Sequence, residues 1–210
     1  LYSKKSQFPI ILKRFILGVY ALQWRIRIIR ASDSEIVDNG EVEVICADHE
    51  IVIQPTSQGT PEELGRAEKA VGDTTRRARA MLLSAPHLPA SLWGAAWVYS
   101  GVISWLLPKA YNDDMTPYQA IRGRPPNMRE LLIGVFGCPC EVRRVPKGGK
   151  YKSKQQERTL SMYFVGTDYP SVLVWLASKN KIYRVSKRKV RLHEGAYIVN
   201  EPMTVFGLKQ

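Results

Sequence analysis

The sequence predicts an α/β plus all-β chain, an α/β layer backed by helices and followed by a small β-barrel, and three observations carry that prediction. Apolar residues over positions 8–53 switch between helical and strand spacing in the order helix, strand, helix, strand. Beyond Phe136 the helical periodicity gives way to short β-branched and aromatic runs separated by turn-forming segments. Hydrophobic residues make up 45% of the 210 positions and include five Trp, enough to build real cores and to exclude global disorder.

The elements follow in order. Ile10, Ile11, Phe15, Ile16, Val19 and Tyr20 recur at helical spacing and predict an amphipathic helix over residues 8–24. Residues 25–31 alternate arginine with Ile26, Ile28 and Ile29 and predict a strand. A second helix is expected over about residues 39–48, then a short strand over 51–53. Residues 54–59 are rich in Pro, Thr, Ser and Gly and form a loop. Thr60, Pro61, Glu62 and Glu63 then read as the start of a long helix reaching about Ala85. Pro86 and Pro89 break it, and residues 90–107 form the next helix, ended by Pro108. Residues 112–126 make a turn-rich connector with a short helix at best. After Phe136 five or six strands are expected, punctuated at 146–150, 168–171 and 178–181, as in a small barrel or sandwich. The implied domains are 1–112, a connector at 113–135, and a basic barrel at 136–196.

The formal charge of +12 and a pI near 9.7 point to a polyanionic partner, because each neutralised phosphate releases condensed counterions. Nucleic acid is the first expectation and an anionic membrane surface the second. Residues 90–107 carry no charge and have nearly the length of a membrane span. Three Ser and two Gly within them favour a buried helix instead, so no membrane is expected. Cys46, Cys138 and Cys140 are an odd set behind no secretory signal, and fit small apolar core residues in a reducing compartment. His49, His87 and His193 are isolated, as surface or hydrogen-bonded core residues usually are. The chain begins at Leu1 without Met, which is expected of a cut from something longer.

Much of the charge lies between Arg143 and Arg191, where fourteen Lys or Arg face only Glu157 and Asp168. Tyr151, Tyr163, Phe164, Trp175 and Tyr183 are interleaved with these cations. Strand alternation would bury some aromatics and turn the cations outward. If six cations met phosphates, affinity would fall by about 10³ between low and moderate salt, with little dependence on base sequence. A soluble barrel with a lysine-protected edge is the alternative reading.

Asp33 directly follows a predicted strand, and Glu68 sits early in the long helix. Two carboxylates arriving from separate elements are what a divalent cation requires, since Mg²⁺ prefers hard oxygen ligands. In phosphoryl transfer, paired ions steady the attacking and leaving oxygens. A surface Asp and a Glu favoured by the helix dipole are the ordinary alternative. Around Glu68, Arg66, Lys69, Arg76, Arg77 and Arg79 could hold phosphates, or form a solvated basic face.

Four blocks in one order carry a family resemblance. The run from Thr60 through Pro61, Gly65, Arg66, Ala67 and Glu68 resembles the copia-type integrase stretch leading into the catalytic helix, with Leu64 in place of the usual Asn. Leu88, Pro89, Leu92, Trp93, Ala95 and Ala96 match the family's Leu-Pro, Leu-Trp and Ala pattern. Thr116, Pro117, Tyr118, Gly123 and Pro126 resemble its Thr-Pro-Tyr block, and Phe136, Gly137 and Cys138 its Phe-Gly-Cys block. The likeness runs from about Lys4 to Glu194 and points to the integrase region of a copia-type LTR retrotransposon Gag-Pol polyprotein.

That resemblance implies a truncated RNase H-like catalytic core, with the family's second acidic ligand at Asp33 and its glutamate at Glu68, both holding Mg²⁺ or Mn²⁺ in the intact parent. It implies metal-dependent strand transfer in DNA integration, with Arg66, Lys69 and Arg76 near backbone phosphates. Phe164, Val165 and Gly166 and the ending at 190–194 resemble the family's small Src homology 3-like barrel. There Arg143, Arg144, Lys187, Arg188 and Lys189 would anchor DNA. The implied partners are DNA, as element ends and target, and further copies of the intact protein. The implied locations are the nucleus for integration and a cytoplasmic particle before it.

Two departures matter. The family's acidic strand end is Asp followed by Asn-Gly-Gly-Glu, whereas Asp33, Ser34 and Glu35 stand here and Asp38, Asn39, Gly40 and Glu41 follow five residues later. Asp38 therefore rivals Asp33, which is preferred because it ends the strand and keeps nearly the family's distance to Glu68. The family's first catalytic Asp and its His and Cys zinc-binding segment have no counterpart. Strand transfer by these 210 residues alone is not expected. The chain is then an excerpt of a longer polyprotein, a decayed non-catalytic nucleic-acid-binding remnant, or an assembly scaffold.

Overall fold

In the computed structural model, residues 7–31, 39–56, 65–109, 113–144 and 158–197 are described. Contacts divide the chain into two compact units, Leu1–Asp73 and Thr74–Gln210.

The first unit opens with helix α1, Phe8–Ala21, whose Pro9 sits in the first turn where its missing N–H costs nothing. Gln23 takes a left-handed conformation at φ 64°, and the N–H groups of Leu22 and Gln23 fold back onto Val19 and Tyr20. The helix therefore ends three residues before the apolar pattern does. It buries Leu12 and Ile16 but leaves Ile10 and Phe15 exposed. Strand β1, Ile28–Ala31, pairs in parallel with β2, Val52–Pro55, in the register Ile28 to Val52 through Ala31 to Pro55. Helix α2, Gly40–Asp48, crosses between them, capped by the Asn39 side chain, which accepts from the N–H groups of Glu41 and Val42. Leu12, Ile16, Val42, Cys46 and Ile51 form the buried cluster. The predicted alternation of helix and strand is present, with β1 starting at Ile28 rather than Arg25.

Helix α3, Gly65–Leu83, runs across the division at Asp73. In the second unit a 3-10 turn, Ala90–Leu92, leads into α4, Trp93–Leu106. Among the described residues, no helix is long and apolar enough to cross a membrane. The connector holds α5, Pro117–Arg122, where Thr116 caps the Gln119 N–H and Gly123 at φ 66° ends the helix. A single-turn helix α6, Met128–Leu131, follows.

The sheet has five antiparallel strands: β3 (Pro139–Arg143), β4 (Thr159–Asp168), β5 (Ser171–Leu176), β6 (Lys181–Ser186) and β7 (Val190–Leu192). Their order is β6-β5-β4-β3-β7, so consecutive strands β6 and β7 lie at opposite edges. Five flat strands would hold those edges about 19 Å apart. The three-residue turn Lys187–Lys189 joins them, and four chain steps reach at most about 14 Å. The sheet must therefore curl until its edges approach.

Inside the curl lie Phe164, Val165, Val172, Val174, Cys138 and Cys140, all fully buried. Tyr99 of α4 meets the Phe164 ring edge-on at 5.4 Å, and its hydroxyl donates to the Gly134 carbonyl. Gly166 stands at a register shift in β4 with φ 145°, against the Tyr99 ring, where a side chain would be strained.

Candidate nucleic-acid interface

Over most of β3 and β7, strand alternation turns apolar side chains to one face and polar ones to the other. On β3, Cys140 and Val142 point inward while Arg143 is exposed and Glu141 half-buried. On β7, Val190 and Leu192 are half-buried and Arg191 is exposed. The antiparallel register aligns Glu141 with Arg191 and with Ser161, and Arg143 with Thr159. Val190, the first residue after the Lys187–Lys189 3-10 turn, pairs with Val142, the residue before Arg143. Arg143 and Arg191 are exposed on neighbouring strands, and Lys189 is exposed in the turn that enters β7. The Arg144 N–H donates to the Arg158 carbonyl at 2.8 Å, bringing Arg158 to the same end. Residues 145–157, which carry four more lysines by sequence, link these two positions and lie outside the described residues.

The remaining cations are more engaged. Arg184 pairs with Asp168 at 2.9 Å on an exposed part of the sheet. Lys187 lies 5.1 Å over the Tyr169 ring and Lys181 lies 5.8 Å over Tyr183, so aromatic faces hold both ammonium groups. Glu141 approaches His193 at 3.7 Å. Of the predicted anchors, Arg143 is exposed at the end of β3 with Arg144 following it, and Arg188 and Lys189 are exposed in the closing turn. Lys187 belongs to the opposite, Tyr169 side of that turn. Arg191 and Arg158 complete the cationic surface and were not singled out from sequence. The only local signal for Arg191 was its alternation with Val190 and Leu192.

The acidic pair is described on one side only. Glu68 lies exposed in the first turn of α3, flanked by exposed Arg66 and Lys69, with Arg76 exposed two turns later. Asp33 and its rival Asp38 lie outside the described residues. Strand β1 ends at Ala31, two residues before Asp33. Among the described residues, no three His, Cys, Asp or Glu side chains gather into a metal-holding group.

The three thiols are free and buried. Burial pushes Cys46 up from its ordinary range, and pushes Cys138 and Cys140 each up to about 12. A thiol held protonated is neither a nucleophile nor a metal ligand at neutral pH, in line with the expected core role.

No protein-family model matches the sequence, and no curated protein matches it significantly. Among solved structures, the chain is similar to a chain in the cryo-electron microscopy structure of a simian T-cell lymphotropic virus intasome in complex with PP2A regulatory subunit B56 gamma. The identity is 12%, the match covers 91% of this chain, and the TM-score is 0.46. The chain spans 65% of the length of that chain. At that score and identity the likeness does not establish a common fold.

Proposed function

We propose that this chain belongs to the integrase region of a copia-type retrotransposon polyprotein and contributes nucleic-acid binding through the curled basic sheet. The observation that supports the binding role is the set of exposed cations on and beside β3 and β7, Arg143, Arg191 and Lys189, with Arg144 and Arg158 joined backbone to backbone at the end of β3. Its charge suits backbone phosphates, which are contacted with little regard to base sequence. The curled five-strand sheet is read as the small Src homology 3-like barrel.

The integrase assignment rests on the four motif blocks. The parallel β1-α2-β2 unit is read as part of an RNase H-like core, with its first strand ending just before Asp33. In the intact parent, Asp33 and Glu68 would be two of the ligands to Mg²⁺ or Mn²⁺, which would supply electrostatic stabilisation for strand transfer. The third carboxylate would come from the parent outside these residues. Arg66, Lys69 and Arg76 would attract backbone phosphates toward Glu68. The parent would act on element ends and target DNA as a homo-oligomer, in the nucleus after a cytoplasmic particle stage.

Binding of the 210-residue chain to a DNA duplex across a salt series tests the binding role. A steep fall of affinity with salt is expected, shallower after Lys187, Arg188 and Lys189 are changed to Ala. A weak response indifferent to salt sinks the DNA-facing sheet. For the parent, DNA joining that survives Glu68→Gln would overturn the catalytic assignment.

A further inference from the structure

We propose a second, separate phosphate-binding site in the helical part of the second unit, formed by Arg77 of α3, Ser104 of α4 and Lys109 just beyond it. Its ligand would be a single backbone phosphate of the bound nucleic acid, so it rests on the nucleic-acid reading above. The sheet cations take no part in it.

Two cations converge there on one neutral oxygen. Arg77 donates through Nη2 to Ser104 Oγ at 3.4 Å, and Lys109 donates through Nζ to the same oxygen at 3.3 Å. The two charged nitrogens are therefore no more than about 6.7 Å apart. Among the described residues, neither meets a carboxylate. A hydroxyl offers no charge to offset two like charges, and their approach is unfavourable until an anion joins them. Arg77 Nε adds a second observation: its N–H is buried and, among the described residues, has no hydrogen-bond partner. Such a donor normally costs stability unless a ligand or water completes it.

The arrangement is held in place. The Lys109 backbone N–H donates to the Met115 carbonyl at 3.1 Å. The seam between α3 and α4 is fixed by Ser100 donating to the Thr74 carbonyl at 2.9 Å and by Trp97 donating to Thr75 at 3.3 Å. A guanidinium with a donor to spare beside an ammonium matches the oxygens of a phosphodiester, which accept from several directions at once.

The test uses the whole 210-residue chain with three variants. In Arg77→Gln with Lys109→Gln, the dependence of duplex affinity on salt should lose about one phosphate, a slope change near 0.9. The affinity lost between 50 and 200 mM salt should then be about threefold smaller than for the unchanged chain. Ser104→Glu places a carboxylate where the phosphate would lie. It should weaken DNA binding and at the same time raise the thermal midpoint by about 2–4 °C, which a merely structural serine would not do. Finally, inorganic phosphate should shift the Arg77 Nε–H resonance, whereas chloride at equal ionic strength should not.

An unchanged slope in the double variant, while the parent chain binds steeply, overturns this site and leaves the sheet interface standing. A lower midpoint in Ser104→Glu with unaltered binding also overturns it. A parent chain that binds no duplex overturns the nucleic-acid reading and the backbone phosphate with it. An Arg77 resonance that answers inorganic phosphate alone would then assign the site to a free phosphate, contrary to the proposal.

Discussion

The two units close their surfaces in opposite ways. In the second, a meander of strands curls until a three-residue turn can join its two edges, and seventeen buried residues fill the space against α4. In the first, among the described residues, two parallel strands and two helices form an apolar cluster of five buried residues. Ile28 and Val52 remain 57% and 63% exposed on strands of a type normally covered on both faces. Charge divides along a different line. The fourteen cations and two acids between Arg143 and Arg191 equal the whole formal charge of +12, so the rest of the chain is balanced. The sheet region thus carries the net positive charge, while described strand residues of the first unit leave apolar side chains exposed.

The largest effect should come from cutting the closed core. Phe164→Ala removes a fully buried ring packed against Tyr99, and should cost about 3–5 kcal/mol. Phe15→Ser, on the exposed side of α1, should change stability by no more than about 0.5 kcal/mol and improve solubility. Denaturant unfolding of both variants checks this pair. A large cost at Phe15 would mean that the outer side of α1 is covered in solution, and would erase the contrast.

Alkaline pH should act next, through the second unit. Burial raises Cys138 and Cys140 to about 12 in the folded chain, so the unfolded chain ionises first as pH rises through about 8.5. Protons are then bound more by the folded state, and stability falls with increasing pH. The loss begins near pH 9 and approaches about 1.4 kcal/mol per pH unit for each thiol until the folded values are reached. Below pH 8 neither thiol should affect the pH dependence. Unfolding midpoints from pH 7 to 10.5, compared with Cys138→Ala, read the effect. A flat profile would show that these thiols ionise without unfolding.

A smaller effect should separate the units by charge. Changing Arg143, Lys189 and Arg191 to Gln should lower the salt slope of duplex binding by up to about 2.7. Changing the exposed Lys13, Arg25 and Arg27 of the first unit should leave it nearly unaltered. Equal losses from both sets would make binding a matter of net charge alone, without a defined surface.

What the sequence revealed follows the same division. Elements set by local physics were legible: Asn39 standing before α2, the proline breaks at Pro86 and Pro89, and the turn residues between the strands. The apolar spacing of residues 8–24 predicted a helix correctly, but not which side would be buried. Ile16 and Phe15 carry similar local signals, and only the partner surface decides between them. That Arg143 and Arg191 stand on neighbouring strands depends on pairing between residues as far apart as Val142 and Val190, 48 positions along the chain. Arg77 reads locally as part of the basic cluster around Glu68, yet it bonds to Ser104, 27 positions away. Asp33 and Asp38 lie outside the described residues, and the choice between them still stands on sequence.

The smallest effect asks whether the units fold together. Asn39→Ala removes the acceptor for two N–H groups at the start of α2, and should cost about 1 kcal/mol. In a unit whose described residues form an apolar cluster of five buried side chains, that loss should appear as local opening. Amide exchange over residues 41–46 should then quicken about fivefold, the factor equivalent to 1 kcal/mol, while residues 162–174 remain unchanged. Exchange that quickens equally in both segments would mean that the open layer and the curled sheet unfold as one, and that the closed core lends its stability to the other unit.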